Sequence, residues 1–268
     1  MSRVGALRAA NGWRWTAWYL GRAALRRSQE RVERHLAELE ARGGLPGANA
    51  LAENVRRWNE HDWQQLGEEW TVSPEWKQSL IDDVIRSHVP RGTTVVEIGP
   101  GGGRWSETLQ QLAGRLVLVD PSERCIEVCR ERLAYADNVD YHVNDGSSLE
   151  FLAAESVDVV WSFDVFVHVS PLETERYVAE IRRVLRPGGR AVIHHGNVGC
   201  TYENGFRSRT TAALFRDLVA DNDLALLGQF DSWGEGGRFN VRAYGDMITA
   251  FGRKIAPSAW ALAPLFAA

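Results

Sequence analysis

The residues of this sequence that are best suited to ligand binding form a glycine-rich segment with a carboxylate at its start. The segment runs from Glu97 to Gly103 and reads Glu-Ile-Gly-Pro-Gly-Gly-Gly. Its glycines let a ligand approach the backbone, and the helix expected after them offers free N–H groups. The dinucleotide fingerprint G-x-G-x-x-G is broken, because Arg104 takes its last position. A carboxylate beside the loop repels a pyrophosphate and favours a cationic ligand.

Two more carboxylates, Asp120 and Asp145, come at the ends of apolar runs that are typical of buried strands. Asp120 comes about 20 residues after the loop, where a carboxylate can bind both hydroxyls of a ribose. Asp145 precedes Gly146, and an acid beside a backbone N–H can bind the edge of an adenine. Each acid alone is equally explained as a helix N-cap. Three neighbouring carboxylates repel one another without a cation, so together they favour a cationic ribonucleoside.

Four residues are candidates for catalysis: Asp164, His168, His194 and His195. Asp164 and His168 are four apart, so they face the same way if their stretch is helical. His194 and His195 end a predicted strand, where adjacent side chains point to opposite faces, so we expect one of them to enter the pocket. A histidine is a suitable general base for a hydroxyl. The same residues offer a divalent cation mixed oxygen and nitrogen ligands, but the carboxylates are too few for a clear magnesium site.

Alternating strands and helices over residues 91–253 position these groups. Strands are predicted at 93–98, 116–119, 139–143, 157–163, 190–194, 224–230 and 247–253. Helices are predicted from the glycine loop to 113, at 122–134, at 171–185 with a capping box at Ser170, and at 206–219 with a cap at Ser208 or Thr210. This alternation predicts an α/β fold with a doubly wound, mostly parallel sheet. Such sheets bind ligands at the carboxyl ends of their strands.

Two segments precede this domain and a short tail, residues 254–268, follows it. Residues 1–45 predict a basic amphipathic helical arm with an apolar residue at every seventh position, at 25, 32 and 39. The arm either packs on its own body, joins two copies into a homo-oligomer, or lies on a membrane surface, and we favour the oligomer over the membrane. Residues 50–90 predict a helical cap, with Ser73 as an N-cap. Its tryptophans either form a lid over a pocket or pack the cap onto the body.

The composition is that of an ordinary globular protein, with 268 residues of which 44% are hydrophobic and 25% charged. No apolar run reaches the roughly 18 residues that span a bilayer. Three cysteines are too few for a disulfide framework or a zinc site, and no signal peptide is evident, so we expect a cytoplasmic protein. The net charge is −4. Because the arm is basic, the body is more acidic still, which argues against nucleic acid as a partner.

The glycine segment, Asp120, Asn144-Asp145-Gly146 and Leu185-Arg186-Pro187-Gly188-Gly189 resemble the successive motifs of class I S-adenosylmethionine-dependent methyltransferases, in order and spacing. The resemblance covers residues 90–253. It implies a Rossmann-like fold of seven strands, the last antiparallel, and S-adenosyl-L-methionine as cofactor. The cofactor-binding residues that it implies are Glu97, Gly99, Pro100 and Gly101 at the methionine end, Asp120 and Pro121 at the ribose, Asp145, Gly146 and Ser147 at the adenine, and Phe163 near the sulfonium.

The activity that we expect is methyl transfer to a hydroxyl of a sugar-containing or natural-product acceptor, with a histidine as base. The alternatives are N-methylation of a small amine or aminosugar, and a cofactor-binding scaffold without catalysis. Arginine suits a carboxylate or phosphate on a small-molecule or glycan acceptor, and tryptophan suits a ring face. The acceptor contacts expected on this basis are Trp70, Tyr202, Arg207 and Trp233.

Overall fold

The computed structural model describes residues 51–197 and 207–254, together with residues 5, 8, 9, 12–14, 16–18, 20 and 21. The described residues near the N-terminus are helical, and Trp13 and Trp18 are exposed there. Most of the predicted arm, Tyr202 and the tail beyond 254 lie outside the described residues. The oligomer contact and the Tyr202 contact therefore stay predictions. No helix within the described residues combines the length and the apolarity needed to cross a membrane.

Seven strands form one sheet in the order β3-β2-β1-β4-β5-β7-β6. Their bounds are β1 Thr94–Ile98, β2 Arg115–Asp120, β3 Val139–Val143, β4 Val157–Phe166, β5 Leu185–His195, β6 Leu224–Phe230 and β7 Met247–Arg253. The first five strands pair in parallel, whereas β7 runs antiparallel between β5 and β6. The predicted doubly wound, mostly parallel sheet of seven strands is thus confirmed.

Six helices matter for the site. Their bounds are α1 Leu51–Glu60, α2 Pro74–Ser79 with a π-helical continuation Leu80–Ile85 and a last turn Arg86–His88, α3 Ser106–Leu112, α4 Glu123–Arg132, α5 Pro171–Val184 and α6 Ala212–Asp221. The predicted caps of α2 and α5 are confirmed, because the hydroxyls of Ser73 and Ser170 accept the backbone N–H three residues on. Residues 51–72, which comprise α1 and two short 3₁₀ turns, are called the cap segment below.

Both faces of the sheet carry an apolar cluster. One cluster includes Val95 of β1 together with residues of α2, α3 and α4. The other includes the next residue of β1, Val96, together with residues of α5 and α6. Because successive side chains of a strand alternate between faces, each central strand serves both clusters. Both faces of the central strands are thus covered, whereas their ends remain accessible to a ligand.

The prediction for the helix after β5 was wrong at its start. Thr211, rather than Ser208 or Thr210, caps α6 by accepting the backbone N–H of Leu214 at 3.1 Å. The backbone N–H of Ser208 donates to Val167 O at 2.7 Å, and the Ser208 and Thr210 hydroxyls bond each other. These bonds hold residues 208–210 against the loop after β4, so the helix begins only beyond them.

Strands β4 and β5 are also longer than predicted. β5 begins at Leu185, because the segment 186–189 belongs to this strand and does not form only a turn before it. β4 continues to Phe166, with irregular pairing to β5 between Ser162 and Phe166. Within this irregular stretch Asp164 has a φ of +62°. A bulge of this kind redirects a side chain at the end of a strand.

Candidate active site

A cavity of about 600 Å³ opens at the carboxyl ends of β1, β2 and β4, beneath the cap segment. The predicted site residues that line it are Trp70, Gly99, Pro100, Gly101, Asp120, Pro121, Gly146, Phe163, Asp164, His168 and Arg207. Most of the expected cofactor residues and two of the expected acceptor residues therefore share one space. This is the location that a doubly wound sheet predicts for a ligand.

Asp120 is the carboxyl group that lines the cavity at the end of β2. Its Oδ1 accepts the backbone N–H of Ser122 at 2.8 Å. Burial raises the pKa of Asp120 to about 7, although backbone N–H groups of Ser122 and Gly101 oppose the rise. A buried carboxyl with so high a pKa lacks enough donors to stabilise its charge fully. Hydroxyl donors from a ligand would complete its hydrogen bonds.

The other two predicted carboxylates do not line the cavity. Glu97 lies beneath the glycine loop, where it accepts a 2.5 Å hydrogen bond from Ser106 Oγ. Burial raises the pKa of Glu97 to about 7, although the hydrogen bond from Ser106 opposes this rise. Asp145 is exposed, and its Oδ1 accepts the backbone N–H groups of Ser147 and Ser148. Desolvation opposes the charge of this carboxyl, but these hydrogen bonds hold its pKa below the usual range. Both acids, like Ser147, support loops that reach the cavity.

The glycine loop is in direct contact with the cap segment. A Cβ atom at Gly102 would lie 2.5 Å from the carbonyl carbon of Leu66, so the two backbones touch. Arg132 of α4 joins them further, since its Nη1 donates to Leu66 O at 3.2 Å and to Gly102 O at 3.0 Å. Its Nη2 reaches Glu107 at 2.7 Å and Glu68 at 3.4 Å. One buried guanidinium therefore fixes the cap segment to the loop.

An aromatic cluster covers the cavity from the side of the cap segment. It consists of Trp58, His61, Trp63, Trp70 and His168, and all but His61 line the cavity. Neighbouring ring centroids are 4.7 to 6.1 Å apart, and most pairs meet at steep angles. Edge-to-face contacts of this kind are favourable for aromatic rings. These rings pack on one another and line the cavity, and Trp63 also packs against Cys125 and Val128 of α4.

Five charged or titratable side chains form a continuous chain at the cavity, and four of them line it, whereas His194 lies beneath the wall. Arg104 donates to Asp164, and Asp164 Oδ1 lies 3.1 Å from His194 Nδ1. His194 Nε2 lies 3.5 Å from Asp246 Oδ2, and Asp246 also pairs with Arg207. Except for Asp164, each of these side chains is at least nine-tenths buried. We call this set the ionic chain.

The charges of the ionic chain stabilise one another. Burial opposes ionisation of Asp164, but Arg104 and His194 hold its pKa well below the usual range. Burial likewise opposes the charge of His194, but hydrogen bonding to Asp164 and Asp246 raises its pKa above 6.5. Because the carboxylates and cations alternate, the chain can stay ionised although it is buried.

Two catalytic expectations need correction: that Asp164 and His168 share a helical turn, and that one of His194 and His195 enters the pocket. Asp164 and His168 do not share a helical turn, because β4 continues past Asp164 and its bulge turns that carboxylate towards Arg104. His194 lies on the cavity side of the sheet but beneath Phe163, with ring centroids 4.3 Å apart. His195 points to the other face, where it stacks on Phe215, and burial lowers its pKa to about 4. Of the three histidines, only His168 lines the cavity.

Trp233 was predicted as an acceptor contact, and this was wrong. Its side chain is buried, its Nε1 donates to Ser79 Oγ at 2.9 Å, and its ring packs on Trp76. Trp233 therefore joins a two-stranded hairpin, residues 232–233 and 239–240, to α2. Among the described residues, no three side chains of metal-ligating type come together as an ion site.

Two important wall residues were missed by sequence reasoning. The sequence analysis gave Arg104 no role beyond breaking the dinucleotide fingerprint, whereas in the structure its side chain pairs with Asp164 at one end of the ionic chain. Asp246 precedes β7, and a topological rule could have found it. Because β7 is antiparallel, its first residues lie at the edge where the parallel strands end.

Comparison with known proteins agrees with this arrangement. Residues 96–193 match the family model of a methyltransferase domain. The chain is 30% identical over 185 residues to the ubiquinone biosynthesis O-methyltransferase of Aromatoleum aromaticum, covering 67% of this chain and 73% of that protein. It is 25% identical over 172 residues to phosphoethanolamine N-methyltransferase 1 of Triticum aestivum, covering 60% of this chain but only 34% of that longer enzyme.

A solved structure shares the fold. It is phosphoethanolamine N-methyltransferase 1 of Haemonchus contortus in complex with phosphoethanolamine and S-adenosylhomocysteine, with a TM-score of 0.61 and 18% identity, covering 78% of this chain and 49% of that one. Four observations indicate the same family: the order of the motifs, the sheet with its antiparallel seventh strand, the cavity at the strand ends and the similarity to the Aromatoleum enzyme. The chain therefore belongs to the class I S-adenosylmethionine-dependent methyltransferases.

Proposed function

We propose that this methyltransferase acts on a hydroxyl oxygen of a small sugar-containing or natural-product acceptor, with His168 as the general base. The proposal is carried by the position of His168 in the cavity wall, where it is the only histidine among the described lining residues. It follows β4 directly, and Phe163 and Asp164 at the end of that strand line the same cavity. The similarity to an O-methyltransferase supports oxygen as the acceptor atom.

The cavity fits the cofactor on two observations. The buried Asp120 carboxyl, with its raised pKa, is suited to accept ribose hydroxyls. Gly99 has a φ of +71° and a Cβ there would collide with Val165, so the loop backbone comes close to the cavity without side chains. In our proposal the backbone of Gly99 to Gly101 lies along the methionine end, and Gly146 lies beside the adenine.

In the proposed reaction the methyl group passes directly from the cofactor to the acceptor, so the protein forms no covalent bond to either. When bound, S-adenosylmethionine supplies a methyl group on a positively charged sulfur, and the electron pair of the broken carbon–sulfur bond stays on that sulfur. His168 takes the hydroxyl proton at a ring nitrogen as the acceptor oxygen bonds to the methyl carbon, and later releases it to solvent. The aromatic cluster and the ionic chain hold the reactants in line and exclude water.

His168→Gln is expected to lower kcat by about 10²- to 10⁴-fold, because the hydroxyl loses its base. Affinity for S-adenosylhomocysteine should stay unchanged, since the proposed role of His168 concerns the acceptor. Turnover is followed with methyl-labelled cofactor and a panel of hydroxylated glycans and natural products. His142→Gln is the matched control, because His142 stacks on Phe151 at the sheet edge, away from the cavity.

The same assay separates the alternatives. An amine has a neutral form that needs no strong base, so an N-methyltransferase would keep most of its turnover in His168→Gln and carry the label on nitrogen. A scaffold would transfer no label to any acceptor. Either result would contradict the proposed O-methylation.

Asp120→Asn is expected to weaken S-adenosylhomocysteine binding by about 1–3 kcal/mol, because the ribose hydroxyls lose a charged acceptor. The amide oxygen can still accept the N–H of Ser122, so the turn after β2 should persist. Titration calorimetry measures the affinity, with Asp217→Asn on the exposed side of α6 as the control. Equal affinity in both variants would remove Asp120 from the ribose site.

A further inference from the structure

Large apolar side chains near the N-terminus are exposed on a helix. The described residues from 12 to 21 are helical, and among them Trp13 is 65% exposed and Trp18 81% exposed. Leu20 is exposed as well, and because it follows Trp13 by seven residues, the two lie along the same side of the helix. Of the described residues in this stretch only Thr16 is buried. The side of the helix that bears Trp13 and Leu20 therefore faces solvent.

The sequence around this helix is basic and rich in aromatic residues. Residues 1–28 contain six arginines but no lysine, aspartate or glutamate. They also contain four aromatic residues, namely Trp13, Trp15, Trp18 and Tyr19. Arg8 and Arg14 are both exposed, and Arg14 Cζ lies 5.6 Å from the centroid of the Trp13 ring. Positive charge and exposed indole rings thus occur together on this helix.

The second part of the arm has a different composition. Residues 29–42 contain four glutamates against three arginines, and no aromatic residue. The seven-residue repeat at 25, 32 and 39, on which the predicted oligomer contact depends, lies mostly in this second part. An oligomer formed through that repeat would not cover the exposed tryptophans. They need a partner of their own.

The charge and the aromatic rings together indicate that partner. A second copy of this helix would place six more arginines against the first six, and like charges across an interface are unfavourable. An anionic membrane instead attracts every arginine that lies near it. Tryptophan suits the boundary between headgroups and hydrocarbon, because its ring is apolar and its indole N–H is polar. A lipid surface therefore matches both properties of the helix.

We propose that the helix bearing Trp13, Trp18 and Leu20 docks on an anionic lipid membrane and lies in the plane of its surface. The three apolar side chains enter the headgroup region, and Arg8 and Arg14 lie among the lipid phosphates. A charged helix with tryptophan on its apolar side binds in this way, more strongly where anionic lipid is present. None of the described residues that line the cavity belongs to this helix. The proposal is therefore independent of the cofactor and of the methyl acceptor.

Co-sedimentation of the full chain with lipid vesicles tests the role of charge. The vesicles consist of phosphatidylcholine alone, or of phosphatidylcholine and phosphatidylglycerol in equal amounts. The wild type is expected to bind the anionic vesicles about tenfold or more tightly, and added salt should reduce this preference. The double variant Arg8→Gln/Arg14→Gln should lose about tenfold or more of the affinity for anionic vesicles, since each arginine contributes about fivefold. Arg115→Gln/Arg124→Gln, at exposed arginines of the body, is the matched control and should bind like the wild type.

A second pair of variants tests the role of the rings. Trp13→Ser/Trp18→Ser should weaken binding to the anionic vesicles by about tenfold or more, because less apolar area enters the membrane. Tyr135→Ser/Leu172→Ser removes two large exposed side chains of the body and should leave vesicle binding unchanged. All four of these side chains are exposed, so circular dichroism should show that both variants remain folded.

Brominated phosphatidylglycerol locates the indole rings even where the serine variant fails to fold. Trp13→Phe/Trp18→Phe keeps two apolar rings, so it should still bind the vesicles. The bromine atoms should then quench the fluorescence of this variant less than that of the wild type, because the two indoles at the membrane are gone. Equal quenching of both proteins would mean that Trp13 and Trp18 do not enter the membrane, which overturns the proposal.

Three further results would overturn it. The first is wild-type protein that binds neither kind of vesicle, or binds both equally. The second is equal vesicle binding by the variants of the helix and their matched controls. The third comes from light scattering without lipid: a lower oligomer mass in Trp13→Ser/Trp18→Ser, with vesicle binding unchanged, would show that a second copy of the chain covers the tryptophans.

Discussion

Gly102→Ala is expected to separate the cap segment from the glycine loop and to lower the free energy of unfolding by about 1–3 kcal/mol. The added Cβ would lie 2.5 Å from the carbonyl carbon of Leu66 and 2.6 Å from its Cα. These are backbone atoms, so no side-chain rotation relieves the contact. Because Trp63 and Trp70 flank Leu66 in the cap segment, its displacement should also weaken S-adenosylhomocysteine binding.

Denaturant unfolding and titration calorimetry measure the two effects of Gly102→Ala. Gly228→Ala is the matched control, because a Cβ at Gly228 in β6 meets no atom within 4 Å. That variant should unfold like the wild type. Were Gly102→Ala to unfold at the same denaturant concentration as the control, the cap segment could not be packed on the loop in the way described above.

The second large effect is expected from Asp246→Asn, which should lower the free energy of unfolding by about 3–5 kcal/mol. The substitution keeps the volume of the side chain but leaves the buried Arg207 and His194 without this carboxylate. Asp140→Asn is the control, since its pair with Arg115 is exposed and should contribute at most about 1 kcal/mol. Equal losses in the two variants would show that the ionic chain is not buried.

The pH dependence of stability gives an independent check on Asp246→Asn. The pKa of His194 is raised in the folded protein, so its contribution to stability is complete below pH 6.5, the usual pKa of histidine. It is lost as the pH rises through the folded value. Removing Asp246 takes away one of the two carboxylates that raise this pKa. The loss of stability on going from pH 6 to alkaline pH should therefore be smaller in Asp246→Asn than in the wild type.

Local sequence signals predicted the frame of the molecule correctly. The β-branched run before the glycine loop formed β1, and Ser73 and Ser170 capped α2 and α5, because each of these features depends on residues close by in the chain. The alternation rule also separated His194 from His195, which lie on opposite faces of the sheet. These are the predictions that need no knowledge of distant partners.

The chemistry of the wall could not be predicted in the same way. The partner of Asp164 is Arg104, 60 residues earlier in the chain. Asp164 lies in a bulge of β4, where this strand pairs irregularly with β5, and local sequence does not reveal such a bulge. Trp233 looked like an acceptor contact, because nothing in its neighbourhood indicates that Ser79 receives its N–H. Buried ion pairs and packed aromatic rings are tertiary features, and single-sequence patterns contain them only indirectly.

The position of the aromatic cluster has a practical consequence. Trp58, Trp63 and Trp70 all face the cavity, so a bound nucleoside changes the surroundings of three indole rings at once. Their fluorescence should shift as the cavity fills, whereas the deeply buried Trp161 supplies a constant background. The unlabelled protein thus carries its own optical reporter of occupancy, and stopped-flow mixing could time how fast the nucleoside arrives and departs.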